Sequence, residues 1–286
     1  MRYVKPESFE AAARLLRDED GVSRILAGGT DVLVQLKAEM VEPDLMVDMK
    51  HLPGMRDIVA EDGGFRIGAA VSGAQMGEHD ALKALWPGVV EGVELIGSSQ
   101  VQSRATMAGN LCTGSPSGDS VPAMVTAGAV ARVQGPDGIR DVPVVDIPTG
   151  PGKNSLAKGE FITSIFLPAR PERASDAYLR FIPRTEMDIA VSSAAVSLEL
   201  DGDGVVTAAH VAIGAVAPTV LLVKNAGAAL VGSKLEETAI AGLVAAVEAA
   251  CNPITDKRGT DVYRRKVVGV LCRRAAAIAR DRARQA

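Results

Sequence analysis

An α+β fold is predicted for this 286-residue chain from three observations. Near the N-terminus, helical and strand patterns alternate. From about residue 58, short strands with a hairpin signal mix with helix-rich stretches. Towards the C-terminus, a strand, an Asp-Gly turn and a second strand precede two helices.

The N-terminal alternation reads as helix "ESFEAAARLLRDE" (7–19), strand "SRILAG" (23–28), helix "DVLVQLKAEM" (31–40) and strand "DLMVDM" (44–49), a small α/β unit. The middle contributes strands "FRIGAA" (65–70), "AVARVQ" (129–134) and "GIRDVPV" (138–144), with "QGPDGI" (134–139) as a Pro-Asp-Gly hairpin turn and "ALKALWPGVVEGVELIG" (81–97) as helical. "LPARPERASDAY" (167–178), Pro-rich and charged, reads as a linker. The stretch "AVSSAAVSLELDGDGVVTAAHVAIGAV" (190–216) then reads as strand, turn, strand, before helices around 236–251 and 261–281. In the last helix Tyr263, Val267, Val270 and Leu271 fall on one face, with the arginines on the solvent side and near the negative dipole end.

Composition narrows the function classes. With 47% hydrophobic residues the chain can build a sizeable core, yet it has no apolar run long enough to span a bilayer. The N-terminus shows no basic region followed by an apolar signal segment, so a cytoplasmic location is expected. Net charge is −4, and no basic stretch is interleaved with aromatics, which argues against nucleic acid as a partner. Cys112, Cys251 and Cys272 lie far apart, excluding the usual iron–sulfur or zinc spacings, so any redox metal belongs to another chain. His51, His79 and His210 are scattered and read as surface or capping residues.

Two glycine-containing stretches carry the candidate chemistry. In "RILAGGTDVLVQLKAE" (24–39), a strand ending at Ala27-Gly28-Gly29-Thr30-Asp31 opens a helix at Val32. Consecutive N–H groups without intervening side chains form a nest for phosphate, although a plain strand-to-helix turn with Thr30 or Asp31 as N-cap is the competing reading. "QVQSRATMAGNLCTGSPSGDSVPAMVTAGA" (100–129) reads as a long functional loop with apolar anchors. Its hydroxyls and amides suit phosphate oxygens, and its one carboxylate, Asp119, suits a ribose diol. Ser115, Ser117 and Asp119 make no nucleophile elbow, and no histidine is close in sequence.

"AGGTD" (27–31) combined with "TMAGNLCTGSPSGDSVPA" (106–123) resembles the two signature loops of the FAD-binding medium subunit of molybdenum hydroxylases, the xanthine dehydrogenase and carbon monoxide dehydrogenase type. The resemblance extends through "DIPTGPGKNSLAKGEFITSIFLP" (146–168), "YLRFIPRTEMDIAVSSAAV" (178–196) and "DKRGTDVYRRKVVGVLCRRA" (256–275), covering nearly the whole chain. It implies an FAD-binding domain of the vanillyl-alcohol-oxidase (PCMH) type over 1–174, with subdomains at about 1–57 and 58–174. A C-terminal domain over 175–286 would hold a three-stranded antiparallel sheet and helices.

The resemblance further implies that Ala27, Gly28, Gly29, Thr30, Asp31, Val32 and Leu33 cradle the pyrophosphate. Thr106, Gly109, Asn110, Thr113, Ser115 and Asp119 fall on contact positions of the second loop, with Asp119 at ribose hydroxyls. Ile162 matches an apolar position by the adenine, Arg180 a basic position near the flavin edge, Ile189 a residue covering the ring and Ser72 a small hydroxyl position near it. FAD is expected to be non-covalent, and no residue is assigned as a general acid or base. The implied partners are a small subunit with two 2Fe–2S clusters and a large molybdopterin subunit, as a dimer of heterotrimers, with this chain passing electrons to a terminal acceptor. A stand-alone flavin reductase or oxidase of the same fold and a non-catalytic assembly module are the alternatives.

Two departures from the family pattern stand out. Ala108 occupies a position that is often glycine, where a positive φ would cost about 1 kcal/mol. Gln102, Ser103 and Ala105 replace a commoner Arg-Asn-x-Gly.

Overall fold

A computed structural model describes all 286 residues. The first unit is a parallel sheet of β1 (Arg2–Val4), β2 (Ser23–Leu26) and β3 (Leu45–Asp48) in the order β1-β3-β2, with α1 (Phe9–Asp18) and α2 (Val32–Lys37) as connections. Helix α1 starts at Ser8, whose Oγ accepts from the Ala11 N–H at 3.1 Å, and it buries Ala12, Ala13 and Leu16. Helix α2 buries no residue and stops at Lys37, short of the predicted Met40. The loop between β2 and α2 leaves the sheet at the carboxyl ends of its strands, where open parallel α/β units bind ligands.

The second unit is an antiparallel sheet. It comprises β4 (Ile58–Glu61), β5 (Gly64–Gly68), β6 (Val130–Gly135), β7 (Gly138–Pro143) and β10 (Phe161–Leu167), ordered β4-β5-β10-β6-β7; β8 (Pro148–Gly150) and β9 (Lys153–Asn154) pair separately. Gly135 pairs with Gly138 across the predicted Pro-Asp turn, and Gly138 has φ 127°, a conformation open to glycine at little cost. Between β5 and β6 run the helices α3 (Gly73–Gly77), α4 (Asp80–Leu85), α5 (Pro87–Glu94), α6 (Ser99–Gln102), α7 (Met107–Cys112) and α8 (Val121–Thr126). The segment read as a long loop thus carries three short helices. They were not anticipated because each is a turn or two long and rich in Gly, Asn and Pro, so tertiary contact has to outweigh propensity.

The third unit is an antiparallel sheet of β11 (Ala174–Phe181), β12 (Ser192–Leu200), β13 (Val206–Gly214) and the two-residue β14 (Leu221–Leu222), covered by α9 (Lys224–Ala228), α10 (Glu237–Ala250) and α11 (Asp261–Ala283). The predicted three strands are present, and β14 is an addition. Ala194, Val196 and Leu198 face the helices, while Ala195 and Ala212 join the core around α8. Strand β12 is therefore buried on both faces, which accounts for its nearly unbroken small and apolar sequence.

Two sequence readings are corrected. The predicted linker is reduced to the six residues 168–173 between β10 and β11, of which Ala169, Pro171 and Glu172 are exposed while the Arg170 side chain is withdrawn from solvent. Arg170 is buried there, stacked 3.6 Å over the Trp86 ring and paired with Asp176 at 3.0 Å. In α11 the buried stripe is Arg264, Val268, Leu271, Cys272, Ala275 and Ala279, whereas Tyr263 and Val270 are exposed. Arg264 can lie on the inner face because its terminal nitrogens donate to Val191 O at 2.7 Å and Ala215 O at 3.3 Å and pair with Asp256 at 2.7 Å, which compensates the buried charge and leaves only Nε without a partner.

Candidate functional site

Every backbone N–H from Ala27 to Val32 donates to no atom of the chain, and helical bonding resumes only with Leu33 N to Gly29 O at 3.1 Å. Asp31 is the N-cap of α2, but its side chain makes no capping bond, so the competing reading of a capped turn does not account for these donors. Gly29 has φ +84°, a conformation that a branched residue adopts only under strain. A Cβ at Gly28 would stand 2.1 Å from the Arg104 carbonyl oxygen and 3.3 Å from Thr106 Cγ2, so the first loop packs directly on the second. Thr113 Oγ1 adds a contact with Asp31 Oδ2 at 3.4 Å.

Local bonding shapes the second loop. Thr106 caps α7 by accepting from Gly109 N at 3.0 Å, which leaves the Met107 and Ala108 N–H groups without an acceptor in the chain. Ala108 is a buried helical residue and is not at positive φ, so the strain considered from the sequence does not arise. Asn110 Oδ1 accepts from Ser120 N at 3.1 Å and Ser120 Oγ at 2.8 Å, clamping the turn between α7 and α8. Ser115 Oγ accepts from Ser117 N at 3.2 Å. Gly114, at φ +65°, lies against Lys153, with Gly152 N donating to Gly114 O at 3.0 Å. The "GPGK" turn is thus a support for the second loop.

Asp119 has partners within the chain. Its Oδ2 meets Arg180 Nη1 at 2.6 Å and its Oδ1 accepts from the Tyr178 hydroxyl at 3.1 Å. Burial pushes the Asp119 carboxyl up to about 6 against the pull of Arg180. It caps no helix: the N-cap of α8 is Ser120, which makes no side-chain capping bond. Tyr178 was not anticipated from the sequence; it is one of the largest fully buried side chains, and burial raises its pKa.

The other predicted positions lie around these loops. Ser72 caps α3 in a capping box with Gln75, and an isolated bridge joins it to Thr106. Ile162 is buried in β10 opposite Val133. Ile189 is 54% exposed, next to Ala190, whose carbonyl accepts from Ser117 Oγ at 3.4 Å. His79 caps α4 through Nδ1, as a capping histidine would. A cavity of about 350 Å³ at Trp86, Gly128, Pro168, Ser197 and His210 contains none of the predicted site residues.

Free backbone donors at a strand-to-helix turn, a glycine surface pressed on a second loop and further free donors at α7 fit a diphosphate. Residues 1–170 match the FAD binding domain in molybdopterin dehydrogenase, and residues 177–279 match the CO dehydrogenase flavoprotein C-terminal domain. The chain is 33% identical to the carbon monoxide dehydrogenase medium chain of Afipia carboxidovorans, over 99% of this chain and 97% of that one. It is 33% identical to the xanthine dehydrogenase FAD-binding subunit of Escherichia coli O157:H7, over 78% of this chain and 77% of that one. A crystal structure of the Cu,Mo-CO dehydrogenase aligns with TM-score 0.93 at 32% identity, covering 99% of this chain and 98% of that one. The carbon monoxide dehydrogenase of Hydrogenophaga pseudoflava aligns with TM-score 0.94 at 29% identity, with the same coverage. The chain belongs to the family of FAD-binding medium subunits of the molybdenum hydroxylases and is an oxidoreductase subunit whose cofactor is FAD.

Proposed function

We propose that this chain is the electron-delivery subunit of a molybdenum hydroxylase complex. In that complex it takes electrons from a small subunit with two 2Fe–2S clusters, served by a large molybdopterin subunit in a dimer of heterotrimers, and passes them to a terminal acceptor. The observation that carries the reading is the run of unpartnered N–H groups from Ala27 to Val32 facing a second loop with its own free donors. In it, residues 1–174 bind FAD non-covalently and residues 175–286 brace the second loop, within a complex working in the cytoplasm.

When bound, the flavin supplies two-electron and one-electron redox chemistry, and the protein's task is to hold it and set its surroundings. Ala27 to Val32 direct main-chain N–H groups at the diphosphate, and Leu33, whose N–H bonds Gly29 O, begins the helix behind them. Thr106 and Thr113 supply hydroxyls from the two ends of α7, and Gly109 keeps the intervening surface low. Asn110 and Ser115 hold the turn that follows. The sparing use of acids and bases in the loops matches a subunit that orients a cofactor rather than transferring protons.

The test is reconstitution. The full chain loaded with FAD should turn over no organic substrate alone and should gain substrate-dependent flavin reduction when combined with cluster-bearing and molybdenum subunits. Hydroxylase activity from the chain alone would overturn the relay.

A further inference from the structure

We propose that the cavity between the second unit and the C-terminal sheet is a second binding site, which takes a small organic ammonium ion with an apolar tail through the Glu199 carboxylate. It shares no residue with the cradle, so the inference stands apart from the flavin reading.

Strand pairing builds the polar wall. Across β12 and β13, Ala195 lies opposite Ala212 and Ser197 opposite His210. Side chains alternate along a strand, so Ala195, Ser197 and Glu199 share one face of the sheet with Ala212 and His210. At the two alanines that face is covered by the core around α8; further along it is open, and Ser197, Glu199 and His210 line a cavity of about 350 Å³. Apolar groups supply much of the remaining wall, from Val125 and Ala127 at the end of α8 to Val130, Val144 and Leu222. One end is closed by Trp86, whose Nε1 donates to Pro168 O at 2.8 Å. Arg170 stacks over that ring and donates to Leu85 O, Asp176 and Ser197 Oγ. Bonds within the chain thus fix this end of the cavity, which lowers the cost of ordering it on binding.

The charges on the lining select the ligand. Arg170 is the only lysine or arginine among the lining residues, and Asp176 meets its charge at 3.0 Å. The half-buried Glu199 carboxylate makes no hydrogen bond or ion pair within the chain, and neither does the exposed His210 side chain. The uncompensated charge of the cavity is therefore negative. A carboxylate only accepts, so the group that completes it is a positively charged donor, and the apolar wall beside it suits a hydrocarbon tail. A neutral His210 ring offers a lone pair to a second ammonium N–H. An anion would be repelled by Glu199, and a neutral alcohol would forgo the charge-assisted bond. The volume lies near the lower end of the range for small-molecule pockets, about 300–1,000 Å³, so the tail is short.

Trp86 is the only tryptophan of the chain and lines the cavity, so its emission reports occupancy. The experiment titrates the FAD-loaded full chain with n-pentylamine, 1-pentanol and pentanoate, which match in length and differ in charge. Wild type should show a saturable change with the amine, at concentrations at least about ten-fold lower than with the alcohol, as expected for one charge-assisted bond, and no change with pentanoate. Glu199→Gln should bind amine and alcohol alike. Glu199→Lys should reverse the preference in favour of pentanoate; if it does not fold, Glu199→Gln decides alone. Flavin absorbance should stay constant during the titration, because the cradle lies elsewhere. Equal midpoints for amine and alcohol in wild type, or a preference for the amine that survives Glu199→Gln, would overturn the site.

Discussion

The α-carbon of Gly28 packs so closely on Arg104 that a methyl group added there would stand 2.1 Å from the Arg104 carbonyl oxygen. The acceptor is backbone, so neither partner can move aside without displacing a loop. Gly28→Ala should separate the two loops and lower FAD affinity at least about ten-fold, as expected for losing one or more hydrogen bonds to a charged group. Titration of FAD into the apo-protein reads this directly, and an unchanged dissociation constant in a folded variant would show that the two loops do not share the ligand.

Ala108 offers a contrast, because it occupies a position that family resemblance marks as often glycine but is helical and buried. Ala108→Gly should gain nothing and lose about 0.5–1 kcal/mol of stability through the extra backbone freedom of the unfolded chain. Chemical denaturation measures it; a stabilised variant would mean that the backbone at this position is strained.

Arg170 supports the junction between β10 and β11 by bonding Leu85 O at 2.8 Å, Asp176 at 3.0 Å and Ser197 Oγ at 3.2 Å. Asp176 is buried and its Oδ2 has no partner, so removing the guanidinium would leave an uncompensated carboxylate. Arg170→Ala should destabilise the chain by about 3–5 kcal/mol. A loss below about 1 kcal/mol in urea unfolding would be that of an exposed pair and would contradict the burial described.

Asp119 sets the sign of one pH effect. Its carboxyl is raised to about 6 in the folded chain, whereas an unfolded aspartate titrates near about 3.9. The folded state therefore binds more protons between these values, and this residue's contribution to stability grows as the pH falls from about 7 to about 4, by roughly 3 kcal/mol in full. Asp119→Asn should abolish that slope. The difference in unfolding free energy between variant and wild type, measured at both ends of the window, should move in favour of wild type on acidification, and a constant difference would contradict the shift.

Much of the scaffold was legible because local signals agreed with tertiary structure. Ser8 caps α1 where the apolar spacing begins, and the Pro-Asp turn closes the β6–β7 hairpin. The first loop was legible as a glycine-opened strand-to-helix turn, because glycine takes the positive φ found at Gly29 at little cost. The Asp119–Arg180 pair was not, since nothing local reports a contact 61 residues apart. Composition misplaced Arg170 and Arg264 at the surface, because charge is a guide to exposure only until a buried carboxylate or carbonyls are supplied. The short helices α7 and α8 depend on packing against β12, β13 and the GPGK turn, so no periodicity announced them.

The central claim is that the unpartnered amides from Ala27 to Val32 hold the cofactor. Amide hydrogen exchange of a peptide spanning these residues, compared between the apo-chain and the FAD-loaded chain, tests it most directly. The account predicts rapid exchange without FAD and at least about ten-fold slower exchange with it, as donors free in the chain acquire phosphate acceptors. Equal exchange in both states, with FAD bound, would place the diphosphate elsewhere.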